Sequence, residues 1–318
     1  MLREELKSHS DLGEFGAVAI ERALRALDGS SPSVRTIGRI LQRRGVLDGH
    51  RRVRRPPPPR GWYLPAVAAG QAELDSFDII EGLVIRGGVH VEVLNAISLH
   101  GGLAESWPSG AVTAKTAMDA LLAHWRAVGL PQYAQFDNDT VFQGAHQHPD
   151  VVSRVMRVCL SLGVIPVFAP PREPGFQAAI ESFNGRWQAK VWTRFEHESL
   201  TALQARSARY IMALRQRTAS RIEAAPARRS FPSTWHPNLQ AHPSGHLIYI
   251  RRTTEPGAVN LLGHTFAVDP LWSQRLVRCE VDLNACLIRF YALRRRQPAH
   301  QPLLREVPYV LPRRHFKE

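Results

Sequence analysis

The stretch PREPGFQAAIESFNGRW, residues 171–187, carries the pattern that decides how the middle of the chain folds. Two prolines and a glycine form a loop, and Ile180, Phe183 and Trp187 then recur at the spacing of one helical face. A helix with a single apolar stripe buries that stripe against another layer of structure. The stretch therefore predicts a loop followed by a helix that packs on a sheet.

A polar strip lies beside this apolar stripe. Glu181 and Asn184 are three residues apart, so they fall on the same side of the helix. The chain as a whole is strongly basic, with 41 Lys and Arg against 28 Asp and Glu and a formal net charge of +13. A carboxylate on a packing helix of such a protein raises the question of what the acid does.

The sequence before this helix alternates strand and helix patterns. Strand-like runs at 73–80 and 89–97 flank a glycine turn, and helical patterns follow at 113–128 and 150–162. The later run VIPVF is a short strand that we place at a sheet edge, because proline lacks a ladder donor. This order of elements predicts an α/β core over residues 70–215.

Different patterns flank the core. Residues 1–50 contain two short amphipathic helices joined by a turn, the arrangement of a helix-turn-helix DNA-binding domain. Residues 51–69 form a basic, proline-rich linker. Residues 230–295 contain short strands that predict a separate small β-barrel, and residues 296–318 form a basic tail.

Arginines on these flanks suit binding to DNA. In the second N-terminal helix, Arg35, Arg39 and Arg43 share the face opposite the apolar residues, where they can reach base edges and phosphates. The linker adds four arginines that suit backbone phosphates: Arg51, Arg52, Arg54 and Arg55. We therefore expect double-stranded DNA as the partner.

Composition argues against several other classes of protein. No apolar run approaches the roughly 18 to 20 residues needed to span a bilayer, so a membrane role is not expected. Cys159, Cys279 and Cys286 have neither the number nor the spacing of a disulfide framework or a zinc site. These features are typical of a cytoplasmic protein.

Three carboxylates of the core lie at strand ends or helix starts: Asp75 in ELDSFD, Asp137 in FDNDTVF, and Glu181. Acids from separate elements of one sheet can converge and hold two divalent cations roughly 4 Å apart. One cation then activates an attacking oxygen and the other stabilises the leaving oxygen. Mg²⁺ or Mn²⁺ suits such oxygen ligands, and either would neutralise a cluster of acids.

The order and local motifs of these acids resemble the Asp-Asp-Glu recombinases, the family of insertion-sequence transposases and retroviral integrases. FDNDTVF is similar to the family's Asp-Asn-Gly-Thr segment, and IESFNG is similar to its Glu-x-x-Asn helix. The resemblance covers about residues 70–200 and implies a ribonuclease H-like mixed sheet. It also implies that Asp75, Asp137 and Glu181 are the catalytic metal ligands.

The resemblance implies an activity as well. A protein of this family cleaves DNA strands at the ends of a mobile element and joins them to target DNA, with two Mg²⁺ or Mn²⁺ ions per site. It acts as a homo-oligomer assembled on DNA. By the same similarity, Asn184 and Arg186 contact DNA or support the acid.

The chain departs from the family pattern in two places. Asp139 stands where the family usually has glycine, and Glu181 follows Asp137 by 44 positions (137 to 181), longer than the common interval. The first acid is also ambiguous, because Asp78 follows Asp75 and would face the opposite side of a regular strand. We choose Asp75, since its spacing to Gly82 resembles the family better.

Two other functions fit parts of the sequence. A transposase-derived DNA-binding protein, inactivated by the altered loop at Asp139, would keep the arginine-rich flanks and need no acids. A simple ribonuclease would explain the core but neither flank. The transposase hypothesis accounts for all three parts of the chain.

Overall fold

The computed structural model of the chain describes residues 2–47, 60–145, 148–171, 173, 175–295 and 297–313. These residues form a mixed α/β structure around a nine-stranded sheet, with a separate two-stranded hairpin. The helices are α1 Leu2–His9, α2 Ala17–Asp28, α3 Val34–Arg43, α4 Pro65–Ala68, α5 Ala114–Val128, α6 Thr140–Gln143, α7 Arg154–Ser161, α8 Ala178–Trp187, α9 Leu200–Arg217 and α10 Ala219–Glu223. The strands are β1 Leu74–Ile85, β2 Val89–Ser98, β3 Ala104–Ser109, β4 Tyr133–Phe136, β5 Ile165–Phe168, β6 His246–Arg252, β7 Ala258–Leu261, β8 His264–Ala267, β9 Leu276–Asp282, β10 Leu287–Ala292 and β11 Leu303–Pro308.

The first five strands form the mixed sheet that the sequence predicts. β1, β2 and β3 are an antiparallel meander, and β4 and β5 join the other side of β1 in parallel. The intervening helix α5 begins at Thr113, whose side chain and that of Thr116 form a reciprocal cap. The predicted α/β core and its mixed sheet are therefore confirmed.

The C-terminal strands continue this sheet and do not form a separate barrel. Strand β6 pairs in parallel with β5 through Val167 with Ile248 and Phe168 with Tyr249, and β9, β10 and β11 follow in order. Among the strands of the described residues, β7 and β8 alone lie outside the sheet, as a hairpin. The barrel predicted over 230–295 was wrong because alternating short strands fit an extended open sheet equally well.

Strand β5 is central, contrary to its predicted place at a sheet edge. Pro166 pairs with Ala134 of β4, while the ladder to β6 begins only at Val167. Pro166 therefore lies beyond the end of the β6 ladder, where its lack of a backbone N–H costs no hydrogen bond.

The end of the predicted linker is part of the folded core. Trp62, Tyr63, Leu64 and Val67 are buried, and they cover the face of β4, β5 and β6 that α5 and α7 leave open. The sequence prediction of a linker over 51–69 is therefore wrong from residue 60 onward, because these apolar side chains have a sheet surface to cover. Arg51, Arg52, Arg54 and Arg55 lie outside the described residues.

Apolar layers cover both sheet faces. On one face a continuous cluster runs from Phe77 and Trp125 under α5 and α7 to Phe290 of β10, so both halves of the sheet share one core. On the other face, the predicted stripe of α8, Ile180, Phe183 and Trp187, is fully buried with α9. Helix α8 passes directly into a π-helical turn, Gln188–Trp192, that extends this stripe to Val191.

The N-terminal helices form a small unit of their own. Ile20, Ile37 and Leu41 are its buried centre, and Ser33 caps α3 through the Thr36 amide. The loop after α1 fastens this unit to the core: Lys190 donates to the Gly13 carbonyl at 2.8 Å, and Arg217 forms an ion pair with Glu14. Within the described residues, no helix is both long enough and apolar enough to cross a membrane.

We predict that deleting residues 230–318 will prevent the remaining core from folding. The deletion would expose the β5 edge and open the core shared by α7 and β6, so the product should aggregate or lose its cooperative thermal unfolding transition. Deleting residues 1–47 is the control and should preserve that transition. A cooperative, soluble 60–229 fragment would contradict the shared core.

Candidate active site

Strand β1 presents its two aspartates, Asp75 and Asp78, to opposite faces of the sheet. Asp75 and Phe77 point to the face of α5, while Ser76 and Asp78 point to the face of α8, as strand alternation requires. The two candidate first acids therefore have different surroundings, and these surroundings distinguish them.

Asp75 is an internal ion-pair residue and not part of an open site. Its carboxylate is 1% exposed and accepts hydrogen bonds from Arg228 Nη1 at 3.0 Å, Arg228 Nη2 at 2.5 Å and Trp125 Nε1 at 3.1 Å. His124 lies 3.9 Å away, and burial lowers its pKa to about 4, so that ring is neutral. The choice of Asp75 as a catalytic metal ligand was wrong, because both its oxygens are already bound to donors.

Asp75→Asn should destabilise the fold by about 3 kcal/mol or more, since it leaves the buried Arg228 without its counter-charge. Asp78→Asn, three residues along the same strand, should not lower stability at pH 7. Urea unfolding of both variants and the parent protein measures the difference. Equal stability of all three would contradict the structural role of Asp75.

Asp78 and Asp137 are brought side by side by the parallel pairing of β1 and β4. Ser76 of β1 is opposite Gln135 of β4, so the same register carried two residues further places Asp137 beside Asp78 on the same face. The first two acids of the candidate site therefore come from adjacent strands.

The loop after β4 holds Asp137 in place. Asp137 Oδ1 accepts a hydrogen bond from the Asp139 amide at 3.0 Å, and Asp139 Oδ1 caps α6 by accepting from the Val141 amide at 2.7 Å. Asn138 donates to the Ala169 carbonyl at 2.8 Å. Asp139 has an extended backbone (φ −63°, ψ 147°), so the departure from glycine costs no strain and gives the loop a helix cap.

Helix α8 brings Glu181 and Asn184 to the same place. Asn184 is buried, donates to Asp78 Oδ2 at 2.7 Å and accepts from Asn95 Nδ2 at 2.8 Å. Asn95 is itself the cross-strand partner of Asp78 on β2. Glu181 lies one helical turn before Asn184 and is exposed to solvent at the mouth of the site.

The carboxylates Asp78, Asp137 and Glu181 act on one another electrostatically. Burial, together with the charges of Asp137 and Glu181, raises the pKa of Asp78 to about 7. The hydrogen bond from Asn184 acts in the opposite direction and lowers this pKa. Burial also raises the pKa of Asp137, with further contributions from the charges of Asp139 and Glu81. The structure thus concentrates negative charge at one point of a basic protein.

The donor set of this cluster fits a divalent cation. Carboxylate oxygens are the ligands that Mg²⁺ and Mn²⁺ prefer, and a cation would relieve the repulsion that raises the pKa of Asp78. Across the described ranges, no three His, Cys, Asp or Glu side chains are yet close enough together to form a complete metal site. Glu181, which is exposed, would have to move toward the two aspartates to complete such a site.

A cleft of about 310 Å³ is lined by Ser76 and Gln135, which lie two residues before Asp78 and Asp137, and by the first turns of α8. Its floor holds Ser76, which donates to Gln135 at 3.2 Å. Arg60, Arg186 and Arg221 line its rim, and burial together with the charges of the other two arginines lowers the pKa of Arg221. The rim therefore carries clustered positive charge and guanidinium donors of the kind that suit phosphate groups.

Sequence reasoning identified some of these residues and missed others. Arg186 was predicted, and it lines the cleft; Arg35, Arg39 and Arg43 are exposed along α3, far along the chain from the acids. Arg60, Arg221 and Asn95 were not singled out, because no local motif marks them. For the first acid, the available signal was strand alternation, which places Asp78 and Asp75 on opposite faces of the sheet.

The raised pKa of Asp78 predicts a pH dependence of stability. The unfolded chain loses this proton near pH 3.8, while the folded chain keeps it to about pH 7. Folded protein binds more protons between these values, so stability should fall as pH rises through that window, by up to a few kcal/mol. In metal-free urea unfolding, Asp78→Asn should be more stable than the parent protein at pH 8 and similar to it near pH 4.

Added Mg²⁺ should stabilise the parent protein at pH 8 and have little effect on Asp78→Asn. The same pH profile for both proteins would contradict the coupling of the acids.

Solved structures that resemble this chain include retroviral integrases, the group that the sequence motifs resemble. A chain of the simian T-cell lymphotropic virus intasome in complex with PP2A regulatory subunit B56 gamma is 15% identical, with a TM-score of 0.41, over 87% of this chain and 91% of that chain. The BIV integrase catalytic core domain is 18% identical, with a TM-score of 0.30, over 45% of this chain and 81% of its own length.

The HTLV-2 integrase catalytic core domain in complex with magnesium, in its dimeric form, is 14% identical, with a TM-score of 0.32, over 45% of this chain and 83% of its own length. No protein-family model and no curated protein matches the chain.

Proposed function

We propose that this protein is a metal-dependent polynucleotidyl transferase of the transposase and integrase type, which cleaves DNA strands at the ends of a mobile element and joins them to target DNA. The proposal is drawn from Asp78 and Asp137 on adjacent strands, whose charges repel each other, and from Glu181 on the helix above them, whose charge also acts on Asp78. Asp78 replaces Asp75 as the first acid.

Each residue of the site has a distinct role in this proposal. Asp78, Asp137 and Glu181 would hold two Mg²⁺ or Mn²⁺ ions, which would supply activation of the attacking oxygen and stabilisation of the leaving oxygen in an in-line displacement at phosphorus. Asn184 fixes the Asp78 carboxylate through a hydrogen bond of 2.7 Å and is itself held by Asn95. It is a positioning residue.

Arginines beside the acids would bind the reacting strand. Arg60, Arg186 and Arg221 line the cleft next to Ser182, which follows Glu181 on α8. Guanidinium groups bind phosphate oxygens through two parallel hydrogen bonds, so the rim can hold the phosphates that neighbour the one under attack. The cleft would then position the reacting DNA strand as well as neutralise its charge.

Recognition of the element ends belongs to the N-terminal unit in this proposal. α3 presents Arg35, Arg39 and Arg43 on one exposed face, at spacings of four residues. That face is free of packing duties and suits the major groove. Linker arginines Arg51, Arg52, Arg54 and Arg55 would add contacts to backbone phosphates.

The alternative of an inactive DNA-binding derivative loses its main support. It depends on Asp139 disrupting the loop, whereas Asp139 caps α6 and its amide holds Asp137. We propose further that the protein works on DNA as a homo-oligomer in the cytoplasm.

Replacing the proposed acids should abolish chemistry without abolishing DNA binding. With Mg²⁺ or Mn²⁺ and DNA bearing candidate element ends, Asp78→Asn, Asp137→Asn and Glu181→Gln should each lower strand cleavage and strand transfer by at least about 10³-fold. A gel-shift titration should give nearly unchanged affinity for the same DNA.

Glu173→Gln is the matched control, since Glu173 is an acid outside the site that pairs with Arg252. It should retain cleavage. Full activity of Asp78→Asn would disprove its assignment as the first acid, and DNA binding without cleavage by the parent protein would favour the inactive derivative.

A further inference from the structure

We propose that a groove lined by arginines at the end of the C-terminal strands binds the phosphate backbone of double-stranded DNA, several base pairs from the acids. The choice of DNA as the occupant rests on the proposed function. We define the arginine groove by Arg252, Arg275, Arg294 and Arg295, which line an open cavity of about 630 Å³ together with Trp272.

Sheet topology brings these four arginines together. β6 ends at Arg252, which pairs with Leu276 at the start of β9. β10 ends at Ala292, which pairs with Val277, the second residue of β9. Arg275 directly precedes β9, and Arg294 and Arg295 follow shortly after β10. Three chain segments therefore leave the sheet at one edge, the edge at which β4 ends before Asp137.

A buried tryptophan fixes two of the arginines. Trp272 is 5% exposed, and the guanidinium carbons of Arg275 and Arg294 lie 4.8 Å and 5.1 Å from its ring centroid. These cation–π contacts limit how far the two cations can separate. Because the indole ring is buried, it cannot stack on an unpaired base, so the groove suits phosphates more than single-stranded bases.

Two cations of this groove, Arg275 and Arg294, are not balanced by an acid within the described chain. Glu173 is the one carboxylate among the described lining residues, and it already forms an ion pair with Arg252. In the part of the chain that the structure covers, neither Arg275 nor Arg294 has a carboxylate within ion-pair distance. Exposed cations held close together without an acid attract an anionic partner.

The groove lies at a distance from the acids that duplex DNA can span. From β4, which precedes Asp137, the sheet order runs through β5 and β6 to β9 and β10. At about 4.8 Å per strand step, three to four steps amount to roughly 14 to 19 Å. A duplex rises about 3.4 Å per base pair, so the groove would meet phosphates about four to six base pairs from the reacting one.

The test uses the full chain, a 20-base-pair duplex of mixed sequence and fluorescence anisotropy over a range of NaCl concentrations. Arg275→Gln with Arg294→Gln should lower the salt dependence of affinity, d log K/d log [NaCl], by about 2 and weaken binding at 0.1 M NaCl by roughly tenfold or more. An unchanged slope would overturn the proposal.

Arg305→Gln with Arg313→Gln is the matched control. It removes the same charge from two exposed C-terminal arginines outside the groove. The control should change the slope by much less, and an equal change would show that net charge alone is responsible, which overturns the groove. Thermal unfolding of both double variants checks that each remains folded, and Arg275→Lys with Arg294→Lys, which keeps the charge, should restore most of the slope.

Two further outcomes separate this inference from the proposed function. Loss of slope in the groove variant, together with no metal-dependent cleavage by the parent protein, would support the groove and contradict the enzyme. Cleavage that needs Asp78, together with an unchanged slope, would do the reverse. If the groove variant lost affinity for an RNA duplex but not for DNA, the occupant would be RNA and the proposal would be wrong.

Discussion

The ion pair between Asp75 and Arg228 is the contact on which the arrangement of the sheet depends. Asp75 lies on strand β1, its second donor Trp125 comes from α5, and Arg228 comes from the segment that leads to the C-terminal strands. The neighbouring Arg229 forms a bridge with Leu130 through backbone bonds. One buried carboxylate thus joins three parts of the chain, and the opposite face of β1 is left to carry Asp78.

Opposite charges are kept apart across this structure, and that separation has a cost that ligands can remove. Asp78 and Asp137 repel each other beneath α8, while Arg60, Arg186 and Arg221 repel one another along the cleft beside them. Neither cluster satisfies the other, because each lines a different part of the surface. A divalent cation in the first cluster and a polyanion along the second would each relieve one of these repulsions.

Local patterns predicted the elements of the fold better than their partners. The helix expected at 113–128 is α5, Ala114–Val128, and the stripe of Ile180, Phe183 and Trp187 is buried as its spacing required. Asp75 was wrongly chosen as the first acid because a local pattern cannot predict its ion pair with Arg228, which lies 153 positions later. Short C-terminal strands were predicted from their local pattern, but the pairing of β6 with β5, which joins them to the core sheet, is a long-range contact.

The seam between the two halves of the sheet also sets the order in which the chain can fold. Strands β5 and β6 share a ladder of two residue pairs, yet Val167 and its partner Ile248 are 81 positions apart (167 to 248). A ribosome adding about 5 to 20 residues per second needs roughly 4 to 16 seconds to span that interval. Throughout this time the half-made sheet has an open hydrogen-bonding edge beside Phe168. The nascent chain therefore depends on slow, non-local closure, and its cellular yield should rise when translation is fast or a chaperone covers that edge.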